Sequence, residues 1–177
     1  MIPVYLINLE VRKDSEKAGG RSLVLPHPCN EAVRHVLYAT DFSDSAYRTY
    51  KVLRDMEGAG IVEKISMIHV QGHHAIAIKD PVSRDRLTEQ NRDQLDRIRN
   101  KLSDRTREGT DLIITFGTPA KEIVDTAKER GATMIMMGSQ GQGYVQELFL
   151  GSVSSKVTRL SDVPVLLIPA ERENEES

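Results

Sequence analysis

Tryptophan is absent from this 177-residue chain, cysteine occurs once and phenylalanine three times. A single thiol, Cys29, cannot close an internal disulfide, so the core rather than covalent staples must hold the fold. No apolar run approaches the roughly 18 residues that suggest a membrane span, and no signal-peptide pattern is visible. The expectation is a reducing cytoplasm and no membrane partner. Net charge is nearly missing as well, since 24 Lys+Arg against 26 Asp+Glu leave −2. No global positive field is therefore available for nucleic acid or an acidic bilayer. The few aromatics form no basic-aromatic stripe, so nucleic acid is not expected as a partner. Any affinity for phosphate must be local. What remains is ordinary globular material, with 39% AVILMFWYC and 28% DEKR, which excludes disorder or collagen-like repeats for the whole chain. The length suits one domain.

From residue 31, short apolar runs alternate with segments of helical period, the pattern of βαβ units around a parallel sheet. Strands are expected at 35–39, 65–70, 112–116, 133–137 and 163–168, each apolar enough to be covered on both faces. Four helices fall between them. The first starts after Asp41-Phe42-Ser43, with Ser43 or Asp44 as cap; the second spans 84–108 and, being highly charged, lies on the outer surface. The third begins at Thr118-Pro119 and the fourth at Gly151-Ser152. Right-handed crossovers then give a three-layer, doubly wound sandwich. Residues 71–84 have no periodicity and read as a loop or lid beside the crevice. The expected division is 1–30 for an extra strand and linker, 31–170 for the domain, and 171–177 for an acidic tail. Within the first piece, Ile2-Pro3-Val4-Tyr5-Leu6-Ile7 repeats Val163-Pro164-Val165-Leu166-Leu167-Ile168 at four of six positions.

The densest chemical signal is Gly138-Ser139-Gln140-Gly141-Gln142-Gly143, directly after an apolar strand, with Gly151-Ser152 opening a helix eight residues later. Glycines let backbone N–H groups approach a ligand closely, successive N–H groups form an anion nest, and a helix N-terminus adds free donors. A Walker A loop would need Lys-Ser/Thr after Gly143, where Tyr144-Val145 stands. The dinucleotide fingerprint fails too, because the glycines follow the fourth strand of the domain in the order G-x-x-G-x-G. His73-His74 has no third ligand at zinc spacing, and Cys29 has no catalytic histidine nearby, so neither is taken as a site. Met134, Met136 and Met137 follow a buried-strand pattern in which only Met137 reaches the crevice end.

The spacing Gly138-x2-Gly141-x9-Gly151-Ser152 resembles the nucleotide loop of the universal stress protein family. The resemblance extends over about 33–169: Val36-Leu37-Tyr38-Ala39-Thr40-Asp41-Phe42-Ser43 is similar to the family's opening strand and acidic turn, and Gly117-Thr118-Pro119 to its third strand-to-helix turn. It implies a five-stranded parallel sheet in the order 3-2-1-4-5, of the adenine nucleotide alpha hydrolase-like type. Strands one and four are then neighbours at a topological switch point, which brings Asp41 and Gly138 to one crevice. By the same resemblance Asp41 and the Val70 backbone fix an adenosine, Ala39, Thr40, Met137 and Gly138 line the site, and Gly141, Gly151, Ser152 and Val153 meet phosphates. Ala39 and Gln140 stand where many members carry proline and histidine. The implied ligand is ATP, ADP or AMP with Mg2+, in a stress-response regulator or sensor with at most slow hydrolysis. The alternative is a nucleotide-independent, dimeric interaction module. A homodimer through the last strand is implied, or a pseudo-dimer in which residues 2–7 lie antiparallel against 163–168.

Overall fold

The computed structural model describes residues 4–6, 33–72, 79–141 and 150–169. One sheet contains β1 (Val4–Leu6), β2 (His35–Ala39), β3 (Lys64–Gln71), β4 (Asp111–Phe116), β5 (Met134–Gly138) and β6 (Val165–Ile168). The helices are α1 (Asp44–Gly58), α2 (Pro81–Arg99), α3 (Asp104–Glu108), α4 (Pro119–Arg130) and α5 (Ser152–Leu160). The strands run in the order β1-β6-β5-β2-β3-β4 and every pairing is parallel. Without β1 this is the five-stranded 3-2-1-4-5 sheet that the family resemblance implies. No helix among the described residues is long and apolar enough to cross a membrane.

Alternation along each strand divides the core in two. Val36 and Tyr38 of β2, Ile65 and Met67 of β3, and Met136 of β5 face Tyr50 and Leu53 of α1 and Leu95 of α2. Leu37, Ile68, Ile135 and Leu167 face Ile123 and Ala127 of α4 and Val157 of α5. Both faces of the central strands are thus dry, which is why they read as continuous apolar runs. The central pair is β2 and β5, with Ala39 opposite Met137. The helices that follow these two strands, α1 and α5, lie on opposite faces, so a crevice opens beyond the strand ends.

Local chemistry explains the helix limits. Ser43 caps α1 by accepting from the Ala46 N–H. Gly131 closes α4 at φ 64°, a left-handed turn suited to glycine, and its N–H bonds back to Ala127 and Lys128.

Four expectations are corrected. The helix expected over 84–108 is two helices, because Leu102 turns into the core (5% exposed) and Ser103 begins a new helix. Its start moves to Pro81, where the Asp80 carboxylate accepts from the Val82 and Ser83 N–H groups, so 81–84 are helix and not loop. Residues 73–78, with His73 and His74, lie outside the described residues, as do Cys29, the linker and Gln142-Gly143. The last strand starts at Val165 rather than Val163, since the turn held by the Ser161 hydroxyl engages both backbone groups of Val163 and Pro164 has no N–H to give a ladder. Finally, β1 does pair with β6 but in parallel, Val4 beside Val165 and Leu6 beside Leu167, not antiparallel. Ladder bonds are made by the backbone in either direction, and the pair follows the register of the sequence repeat.

Candidate functional site

Three chain segments meet at the crevice. The first is the turn after β2. The Thr40 N–H bonds to the Ile68 carbonyl at 3.0 Å, extending the ladder one residue, and the Thr40 hydroxyl accepts from the Phe42 N–H at 3.0 Å. Phe42 adopts φ 64°, an unusual left-handed conformation for a bulky residue, and its ring stacks on His69 with centroids 4.5 Å apart. His69 Nδ1 lies 2.9 Å from the Thr40 carbonyl oxygen. Burial holds the His69 pKa below its ordinary value, opposed by the Thr40 carbonyl and the Asp41 carboxylate. This packing turns the chain so that Asp41 sits at the crevice. Its Oδ1 accepts from the Ser43 N–H at 3.1 Å and the Ser43 hydroxyl at 2.6 Å. Asp41 is therefore not the cap of α1; Ser43 is, and Asp41 orients Ser43.

The second segment is the loop after β5. A Cβ on Gly138 would overlap the Ser45 hydroxyl and lie 3.1 Å from the Ala46 nitrogen, so β5 can meet the start of α1 only as glycine. The Ser45 hydroxyl donates to the Gln140 carbonyl, tying the loop to α1. A Cβ on Gly141 would lie 2.7 Å from Asp41 Oδ2, which places the loop against that carboxylate. The third segment is the start of α5. The Gly151 N–H donates to the Ser139 carbonyl at 2.8 Å and the buried Ser154 hydroxyl to the same oxygen at 2.7 Å, so loop and helix are fastened together. Gly151 is the cap residue and brings no capping side chain to the first turn of α5. Among the described residues no side chain caps the first-turn donors at this positive end of the helix. Ser152 is the first helical residue and does not cap its own helix.

These segments enclose a cavity of about 300 Å³. Ala39, Thr40, Asp41, Val70, Met137, Gly138, Gly141, Gly151, Ser152 and Val153, the ten positions singled out from the sequence, all line it. Sequence reasoning missed Ala46, Ile68, Pro119, Ile123 and Ser154. Ile68 follows from strand period, two residues before Val70; Pro119 and Ile123 supply an apolar wall from α4 that needs the tertiary fold to be seen. Among the described lining residues the one charged side chain is Asp41, and there is no lysine, arginine or histidine. The arrangement joins an apolar wall to a rim of backbone donors, which suits a ligand with a flat apolar part and an anionic tail.

A profile of the universal stress protein family matches residues 32–169. Universal stress protein MJ0577 of Methanocaldococcus jannaschii is 29% identical over 154 residues, 76% of this chain and 94% of that protein. YxiE, a universal stress protein of Bacillus subtilis, is 47% identical over 58 residues, 33% of this chain and 39% of its own. The solved structure of MJ0577 superposes with a TM-score of 0.68 at 28% identity, covering 80% of this chain and 99% of that one. The crystal structure of PH0823 gives 0.62 at 30% identity, with coverage of 81% and 99%. The order of the five strands, the glycine loop after the central strand and the match over 32–169 place the chain in the universal stress protein family.

Proposed function

We propose that this chain binds an adenine nucleotide in the crevice between β2 and β5 and acts in the cytoplasm as a nucleotide-responsive regulator or sensor of stress. One observation carries the reading: ten positions scattered from Ala39 to Val153 converge on a single cavity. The base and ribose lie against Ala39, Val70 and Met137, with Asp41 as polar anchor. The phosphates meet the backbone N–H groups of Gly141 and the first turn of α5, with the Ser152 hydroxyl beside them and Gly138 lining the site. Gln140 in place of a histidine removes no backbone donor.

Mg2+ fits this reading as a companion of the phosphates. No cluster of three His, Cys, Asp or Glu that could hold a metal occurs among the described residues. Mg2+ commonly keeps several waters and is carried by substrate phosphates with one or two carboxylates. Asp41 is the single carboxylate on the described wall. Bound there, the ion supplies charge neutralisation to the phosphates. Fast hydrolysis is not part of the proposal, because phosphoryl transfer draws on cations and a group that positions water, and the described wall offers no lysine or arginine.

Mass spectrometry of ligand released from the purified chain, followed by calorimetric titration with ATP, ADP and AMP, tests the proposal. Adenine nucleotide should be found, and Gly141→Val should abolish its binding. Unchanged affinity in that variant counts against the loop. No heat and no thermal shift with all three nucleotides at millimolar concentration would favour the interaction module instead.

A further inference from the structure

Asp41, the one charged side chain among the described lining residues, stands on a short link whose two ends are fixed. At one end the Thr40 N–H continues the ladder to the Ile68 carbonyl. At the other, Ser43 caps α1, which is packed into the core through Tyr50 and Leu53. Between them Phe42 holds φ 64°, a conformation disfavoured for a bulky L-residue. A residue keeps such a conformation only where its surroundings over-determine it. Here they are the Thr40 hydroxyl, which accepts from the Phe42 N–H, and one imidazole from the next strand. His69 Nδ1 lies 2.9 Å from the Thr40 carbonyl oxygen, and the His69 ring stacks on Phe42 with centroids 4.5 Å apart. A carbonyl oxygen only accepts, so Nδ1 carries the proton. The peptide group entering Asp41 and the residue following it are thus held by the same side chain. His69 does not line the cavity, whereas its neighbours Ile68 and Val70 do. Successive strand residues face opposite sides of the sheet, so His69 works from behind the wall.

We propose that His69 is a positioning residue for Asp41 and, through it, sets the affinity for the adenosine half of the ligand; this rests on the nucleotide reading of the crevice. Without the Nδ1 hydrogen bond and the stack, Phe42 relaxes toward an ordinary negative φ. Thr40 is tied to β3 and Ser43 to α1, so neither end of the link follows. The displacement falls on Asp41, and its carboxylate turns from the crevice. The other half of the site is fastened by bonds that do not involve His69: Ser45 hydroxyl to the Gln140 carbonyl, and Gly151 N–H and Ser154 hydroxyl to the Ser139 carbonyl. The donors that meet phosphates therefore stay in place. Loss of His69 is felt by the base and sugar and not by the phosphate chain.

The test compares the unaltered chain with three variants. His69→Ala removes donor and ring; His69→Asn restores a donor, since its amide nitrogen takes the place of Nδ1. Phe42→Gly accepts φ 64° without a Cβ but offers no ring, and it covers the case in which His69→Ala does not fold. Without ligand, hydrogen exchange reads the turn at the Phe42 and Ser43 amides, which the Thr40 hydroxyl and Asp41 Oδ1 hold at 3.0 and 3.1 Å. Protection should fall in His69→Ala and Phe42→Gly and return in His69→Asn. Calorimetric titration then divides the site: Kd for adenosine and for ATP should rise by one common factor, about 10-fold, in the two disruptive variants and recover in His69→Asn. Binding of inorganic triphosphate should be the same in all four proteins. Exchange unchanged in both disruptive variants would overturn the hold on the turn. Lost protection with unchanged adenosine affinity, or an equal loss for triphosphate, would overturn the positioning role. An unaltered chain that takes up neither adenosine nor ATP would instead overturn the nucleotide reading, and the exchange data would still decide whether His69 holds the turn.

Discussion

Substituting Gly141 by alanine tests whether the glycine loop and Asp41 form one site. The added Cβ would lie 2.7 Å from Asp41 Oδ2, about 0.7 Å inside ordinary contact at 3.4 Å. Something must move, and the carboxylate is the softer partner, being a side-chain end held by Ser43 N–H and hydroxyl at 3.1 and 2.6 Å. In the free protein water can replace those bonds at this half-buried position, so stability should fall by only about 1 kcal/mol. That corresponds to roughly 2–4 °C in Tm for a chain of this size. For a bound nucleotide the loss is larger, because Asp41 is turned from its anchor: about 1.5–3 kcal/mol for a hydrogen bond to a charged group, or roughly 10- to 150-fold in Kd. The double variant separates this from damage to the loop itself. In an Asp41→Ala background the new methyl meets no carboxylate, so Gly141→Ala should add little further loss, and the double-mutant cycle should return nearly the whole effect as coupling. Calorimetric titration of the four proteins with one nucleotide measures it. If Gly141→Ala weakens binding equally with and without the Asp41 carboxylate, the steric reasoning is wrong and the loop backbone carries the effect.

Two buried serines should respond differently to alanine. Ser66 is fully buried with its hydroxyl 2.9 Å from Nε2 of the buried His35 ring, so Ser66→Ala orphans a buried nitrogen at about 1–3 kcal/mol. Ser154→Ala strands nothing, because the Ser139 carbonyl keeps the Gly151 N–H and the Gly151 carbonyl keeps the Ser155 N–H, so about 1 kcal/mol is expected; urea melts giving the reverse order would refute this. Acid should weaken the fold in a defined window. His35 and His69 are both held below the ordinary histidine value, chiefly by burial, so their neutral forms contribute stability that is complete above about pH 6.5 and is lost as pH falls below it toward the folded-state values. Chemical denaturation from pH 7.5 to 5 should show this decline, and His69→Gln should flatten it; a stability flat across that range would contradict both assignments.

The sheet was legible because Val36 and Leu37, adjacent in sequence and on opposite faces, are both fully buried, so the strands read as unbroken apolar runs. The crevice was legible through the family resemblance, whose 3-2-1-4-5 order makes the strands that end near Ala39 and Gly138 neighbours and so brings Asp41 and the glycine loop to one cavity. The break between α2 and α3 was not, since Lys101-Leu102-Ser103 contains no glycine or proline and the chain turns there because Leu102 is drawn into the core. Nor was the left-handed turn at Phe42, which no glycine announces; it stands on the local Thr40 hydroxyl and on the His69 ring, and the second contact forms only when β2 and β3 are side by side. The direction of β1 was hidden for another reason. Period-two patterning is unchanged when a strand is reversed, so residues can name a partner strand without naming its sense.

The absence of lysine and arginine from the described wall has a kinetic meaning for the proposed ligand. Lysines and arginines at a crevice mouth reach outward and draw anions in, raising association rates that then fall with salt. Backbone dipoles at Gly141 and the first turn of α5 act only at contact. A nucleotide would arrive here unsteered, at a rate that ionic strength hardly alters, and differences in affinity among mono-, di- and triphosphates would lie in how long each remains.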